Sequence, residues 1–282
     1  MKTKLIALDL DGTVLNSEGV ISDITVSTIK RAIENGIHIV LATGRSVGLI
    51  CEEIKCIKGI KYAITSNGAA IVDLKENKII YSNFLSIDIL KKIIKIIRDF
   101  PIIVEFYANG YAYIDEEVFF NPIKYGLNKE SLGLMYNNHK LVKDIFLLIE
   151  EEQENEFLCF VEKINIPFLK GDMREDLFKR LSSMNNDIKI TSSVKDNLEI
   201  NSYNANKGNG LEELSRFINI SLEETAAIGD NNNDIEMIQK AGIGIAMGNA
   251  IEDIKIKADF ITLNNDNDGV AEMISKILDG NL

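Results

Sequence analysis

The sequence predicts an α/β protein, a Rossmann-like parallel sheet core with an inserted α+β domain. Three observations carry that reading. The first 66 residues alternate apolar runs with amphipathic segments, the end of the chain resumes the same rhythm, and the middle has a different texture.

"KLIALDL" at Lys4 to Leu10 reads as a buried strand. "SDITVSTIKRAIENG" follows as a helix with a Ser22 cap and a Gly36 stop, and "IHIVLAT" as a second strand. A helix from about Ser46 to Ile57 leads to a third strand, "YAITSNG". This β-α-β-α-β order predicts parallel strands with right-handed crossovers and helices on both faces. Near the end, "NKGNGLEELSRFI" is helical, "TAAIGD" a strand, "NDIEMIQKAG" a helix, "IGIAMG" and "ADFITL" strands, and "DGVAEMISKIL" a closing helix. Neither end alone supplies enough strands for a stable domain, so both are expected in one sheet.

Between them, "SIDILKKIIKIIRDF" has isoleucines at helical spacing, and "IIVEFYANGYAYI" alternates on either side of Asn109-Gly110, a dipeptide suited to a tight hairpin turn. A mixed pattern runs on to "IKITSS", with Leu141 to Val161 ambiguous between helix and strand. The expected domains are 1–82 plus 196–282 as the core and 83–195 as the insert. "EEEQEN" and "NNDND" read as short solvated segments.

Composition narrows the partners. The 282 residues are 46% apolar and 26% charged with three prolines, as in an ordered globular protein. A formal charge of -12 without a basic block argues against nucleic acid and against an anionic membrane surface. No apolar run reaches the roughly 18–20 residues of a spanning helix, and the N-terminus lacks a cleavable signal pattern, so a cytoplasmic protein is expected. Cys51, Cys56 and Cys159 match no metal spacing and read as reduced, mostly buried thiols. His38 falls in a strand and His139 in a polar turn, neither with a partner at metal spacing.

The chemistry concentrates at strand ends. Asp9 and Asp11 start on the same side of their strand, and Gly12 then permits a sharp turn. "AAIGDNNNDIEM" repeats the arrangement with Asp230 and Asp234. In a parallel sheet the carboxyl ends of the strands face one crevice, which brings these acids together with Thr43, Gly44 and Arg45. Four carboxylates against Lys207 and Arg45 would repel an anionic substrate unless a divalent cation were present, and oxygen-only ligands suit Mg2+. Thr43, Gly44 and Lys207 are suited to holding phosphate. Singly, Asp11 reads as a turn residue, Lys207 as a surface lysine and Asp234 as a helix cap; the joint occurrence reverses those readings.

The chain resembles the haloacid dehalogenase superfamily of phosphohydrolases, in its Cof-type (IIB) branch with a mixed α/β cap. Asp9 to Val14 match its D-x-D-G-T-V/L motif, Thr43 to Arg45 its second motif, Lys207-Gly208 its third and Gly229 to Asp234 its G-D-x-x-N-D motif. "SNGA" at Ser66 to Ala69, "AMGNA" at Ala246 to Ala250 and "DGVA" at Asp268 to Ala271 extend the similarity. The resemblance implies a phosphatase for a small phosphorylated metabolite, such as a sugar phosphate, a nucleotide or pyridoxal phosphate. It implies Asp9 as nucleophile forming an aspartyl-phosphate and Asp11 as general acid and then base. It implies Mg2+ held by Asp9, the Asp11 backbone carbonyl and Asp230. Leu10 (through its backbone amide), Thr43, Gly44, Lys207 and Asn233 would bind phosphate, with Thr13, Asp234 and Arg45 in support. A sugar phosphomutase and a non-catalytic metabolite sensor are the competing readings. Glu105, Tyr107, Tyr111 and Tyr113 face either the cleft or solvent, which alternation leaves open. An EF-hand reading of "NNDNDGVAEMIS" fails because Ser275 stands where a glutamate is needed.

Overall fold

A computed structural model describes residues 2–127, 139–147, 160–169, 171–193 and 196–282. They fall into two compact units, one of Met1–Arg45, Ile50–Ser82 and Asn206–Leu282, the other of Ser46–Leu49 and Asn83–Ala205.

In the first unit, Leu5–Leu8 (β1) is flanked by His38–Ala42 (β2) and, after six strands of the second unit, by Thr225–Gly229 (β12). Tyr62–Thr65 (β3), Ala70–Asp73 (β4) and Lys78–Ser82 (β5) extend one side, and Ile243–Ala246 (β13) and Phe260–Ile261 (β14) the other. Both ends of the chain thus share one sheet, in the order β14-β13-β12-β1-β2-β3-β4-β5. Pairing is parallel from β14 to β3, after which β4 and β5 fold back antiparallel. All four β1 side chains are buried, as a strand covered on both faces requires.

Local chemistry sets the helices. Ser22 caps Asp23–Glu34 by accepting from the Thr25 amide at 3.0 Å, Asp23 lies in the first turn and Arg31 in the last, and Gly36 follows at φ +81°. Asn206 caps Lys207–Phe217 by accepting from the Asn209 amide at 2.8 Å.

The second unit contains Glu105–Ala108 (β6), Tyr111–Asp115 (β7), His139–Val142 (β8), Val161–Ile166 (β9), Ile188–Thr191 (β10) and Leu198–Ser202 (β11), in the order β10-β11-β9-β6-β7-β8. Asn109 at φ +51° and Gly110 at φ +78° turn the expected hairpin. Phe106, Ile164 and Ile200 pack on one face with Leu90, Ile93 and Ile97 of the helix Ile87–Ile97. The alternate positions form a buried polar face. Glu105 accepts from Asn165 Nδ2 at 2.7 Å and lies 3.1 Å from His139 Nε2, while Lys163 and Glu199 pair at 2.6 Å. Tyr107 is buried, and the exposed Tyr111 carries Lys140 over its ring.

Several expectations are corrected. The unit boundary lies at 205/206 rather than 195/196, because β11 pairs with β9 and β10. The helix expected over 46–57 is one 3-10 turn, Val47–Leu49, and a short helix, Glu52–Lys55, since the Gly48 amide and the Ser46 hydroxyl both donate to the Gly110 carbonyl. Cys56 is consequently exposed and Cys51 half-buried; Cys159 and "EEEQEN" lie outside the described residues. His139 sits on a strand, not in a turn, and Leu141 and Val161 both belong to strands, with 148–159 between them outside the described residues. Asp268 accepts from the hydroxyls of Ser22 and Thr25.

Leu41 is fully buried beside β1. Leu41→Ala is expected to cost about 2–5 kcal/mol, read as a lower denaturant midpoint at unchanged slope.

Candidate active site

Strand register builds the site. Leu8 lies beside both Ile228 and Leu41, so the residues that follow each strand, Asp9, Asp230 and Thr43, leave the sheet at one edge. The site forms where β1 has β2 on one side and β12 on the other, the point at which a doubly wound sheet changes direction.

Its centre is Lys207. The ammonium, with no exposed side-chain area, donates to Asp9 Oδ1 at 2.5 Å and to Asp234 Oδ1 at 2.6 Å. Burial works against its charge, but Asp234 and then Asp9 override that and raise its pKa above the usual lysine value. Asp234 Oδ2 accepts from the backbone amides of Asp230 and Asn231, both at 3.0 Å, so both Asp234 oxygens are engaged. Thr13 donates its hydroxyl to Asp230 Oδ1 at 3.2 Å. Gly12 allows this approach, because a Cβ at its φ of +83° would come 2.5 Å from Asp230 Oδ2.

Among the described residues, Asp9, Asp230 and Asp234 each offer an oxygen, all within 4.8 Å of one another. Burial, then Asp234, push the Asp9 carboxyl well above its ordinary value, with Lys207 opposing. The same two causes push Asp230 up to about 6. Three carboxylates against one ammonium leave excess negative charge, an environment that fits a divalent cation with oxygen ligands. Since both oxygens of Asp234 are occupied, Asp9 and Asp230 are the better placed to hold such an ion.

Asp11 lies apart from that cluster. Its side chain is 58% exposed, and Arg45 grips both oxygens, Nη2 to Oδ1 at 2.6 Å and Nε to Oδ2 at 3.0 Å. Thr43 is fully buried and its hydroxyl accepts from the Arg45 amide across Gly44. Leu10 is buried, and its carbonyl accepts from the amides of Thr13 and Leu15. Asn233 is buried and donates Nδ2–H to Asn67 Oδ1 at 3.0 Å.

Asn67 was not among the expected site residues. "SNGA" marks the place by resemblance, but nothing in its pattern assigns a role; the signal within it is Asn-Gly after a strand, which favours left-handed backbone. Asn67 adopts φ +57°.

A doubly wound sheet with buried acids and a lysine at its switch point defines a class of enzymes that handle anionic ligands there. The comparisons agree. The haloacid dehalogenase-like hydrolase family matches residues 6–274. Phosphatase YwpJ of Bacillus subtilis is 34% identical over 98% of this chain and 100% of its own length. The 5-amino-6-(5-phospho-D-ribitylamino)uracil phosphatase YcsE of the same organism is 31% identical over 96% and 94%. A solved haloacid dehalogenase-like hydrolase from B. subtilis superposes with a TM-score of 0.81 at 31% identity, covering 97% of this chain and 99% of that one. The chain belongs to the haloacid dehalogenase-like hydrolases.

Removing the Lys207 charge strands two buried carboxylates. For the metal-free protein, Lys207→Met is expected to cost about 3–5 kcal/mol at pH 8. The deficit should shrink at pH 5, where the Asp9 carboxyl, pushed up by burial, takes up a proton, as read by denaturant unfolding at both pH values.

Proposed function

We propose that the chain is a Mg2+-dependent phosphatase of small phosphorylated metabolites that works through an aspartyl-phosphate on Asp9. The observation that carries this is the buried Asp9–Lys207–Asp234 arrangement beside Asp230. Side chains of Asp9 and Asp230, with the Asp11 backbone carbonyl, would hold Mg2+, which supplies charge neutralisation for the phosphoryl oxygens.

The chain's own groups then divide the work. Lys207 restrains Asp9 and adds a positive charge beside the phosphoryl group. An Asp9 oxygen attacks phosphorus as the leaving oxygen departs. Asp11 gives that oxygen a proton and later takes one from the water that hydrolyses the aspartyl-phosphate. Arg45 engages each Asp11 oxygen once and so orients the carboxyl, leaving a second lone pair on each oxygen for the proton. Thr43, Gly44 and Asn233, with the Leu10 amide, bind the phosphate. Residues 83–205 correspond to the cap, inserted between the Thr43–Arg45 and Lys207 motifs. The phosphatase relatives support an enzyme for phosphorylated metabolites.

Asp9→Asn keeps the shape and removes the nucleophile, so hydrolysis of p-nitrophenyl phosphate should be abolished while the circular dichroism spectrum is retained. Wild-type turnover in that variant would overturn the assignment. A panel of sugar phosphates, nucleotides, pyridoxal phosphate and the ribitylaminouracil phosphate identifies the substrate.

EDTA should abolish activity and Mg2+ restore it. The pH dependence has a definite sign. Asp230 is held at about 6 in the metal-free fold, above the usual carboxylate value, so the fold binds that proton more tightly than the unfolded chain does. Its contribution to stability is therefore greatest at low pH and is lost as pH rises through about 6. Proton and cation compete for the same oxygens, so the rise in Tm produced by Mg2+ should be larger at pH 7.5 than at pH 5. Equal shifts at both would remove Asp230 from the metal site.

A further inference from the structure

We infer that Asn67 is a positioning residue that sets which way the Asn233 amide faces and so tunes phosphate affinity; this rests on the phosphatase reading above. Three consecutive residues, Ser66, Asn67 and Gly68, have positive φ, +49°, +57° and +90°. Backbone of this kind is rare outside glycine and persists where the surroundings over-determine it, often at functional sites. Here three segments hold it. The Ser66 amide donates to the Arg45 carbonyl at 2.9 Å and the Asn67 amide to the Thr43 carbonyl at 3.0 Å. Gly68 lies against the Asn206 backbone, immediately before Lys207, where a side chain would collide. The Asn67 side chain reaches the fourth motif, accepting from Asn233 Nδ2 at 3.0 Å with both residues buried.

The chemistry follows from the two-ended amide. Asn233 can offer a ligand anion either N–H, which attracts, or its carbonyl oxygen, which repels. An acceptor at Asn67 Oδ1 takes one Nδ2–H and thereby fixes the flip, leaving the second N–H on the same nitrogen to face the anion. The left-handed turn aims that acceptor, and its backbone bonds tie it to the Thr43–Arg45 segment. Asn67 itself need not touch phosphate.

The test removes the Asn67 amide oxygen without disturbing the turn, outright in Asn67→Gly and by exchange for a shorter hydroxyl in Asn67→Ser. Asn67→Gly accepts positive φ freely, and Asn67→Ser places there a residue type that position 66 already holds at φ +49°. Each is measured as the Mg2+-loaded enzyme for p-nitrophenyl phosphate kinetics and for inhibition by inorganic phosphate, alone and combined with Asn233→Ala. Loss of one hydrogen bond's worth of orientation should raise KM and the phosphate Ki about five- to tenfold, with kcat changed far less. In the Asn233→Ala background neither substitution should add anything, because the residue it acts through is gone.

Phosphate Ki within twofold of wild type in a folded variant would overturn the inference, as would effects that multiply in the double variants. Failure of both variants to fold would also overturn it, making position 67 a purely structural one. A wild-type protein that neither hydrolyses nor binds phosphate would instead sink the phosphatase reading on which the inference rests.

Discussion

The Lys207 ammonium, buried without exposure between Asp9 and Asp234, is the constraint on which the site depends. A buried carboxylate is tolerable only when paired, and here one cation serves two acids while a third, Asp230, stands beside them. That arrangement keeps Asp9 in one orientation and leaves the group short of positive charge. Rigidity and charge deficit thus have one origin. In the proposed mechanism the fixed lysine would aim the attacking oxygen, and the unmet negative charge would draw in a divalent ion and, with it, a phosphate.

The sheet makes this pairing possible across 198 residues of chain. Parallel neighbours in register end together, so Leu8, Ile228 and Leu41 deliver the residues after them to one edge. Glycines then close the remaining distance: Gly12 admits Asp230, and a Cβ at Gly229 would come 2.5 Å from Asp234 Cγ. The acids are therefore mounted on backbone that cannot drift without breaking the strand ladder.

Much of this was legible because it depends on local pattern. Periodicity located β1, β2, β3 and β12, and turn chemistry located the 109–110 hairpin. Strand ends and motif order pointed to Asp9, Asp230, Asp234 and Lys207, which the structure holds close together. What escaped depends on contacts distant in sequence. The Ser46–Ile57 helix fails because residues 46 and 48 bond to Gly110, and β11 joins the second unit because its partners are β9 and β10. The grip of Arg45 on Asp11 and the hold of Asn67 on Asn233 are likewise side-chain choices that alternation does not encode.

The sheet of the second unit shows why alternation left the facing of Glu105 open. Glu105, Lys163 and Glu199 would read as a solvated face, yet each is nearly fully buried and bonded to a neighbour of opposite or complementary character. Burying such groups offers little net stability compared with an apolar face, because desolvation offsets the attraction. Their value lies in order: once Lys163 is committed to Glu199 and Glu105 to Asn165 and His139, each side chain has one satisfied arrangement and alternatives leave a charge unpaired. The same logic governs Lys207 in the first unit, where the satisfied arrangement of a buried charge fixes the positions of Asp9 and Asp234.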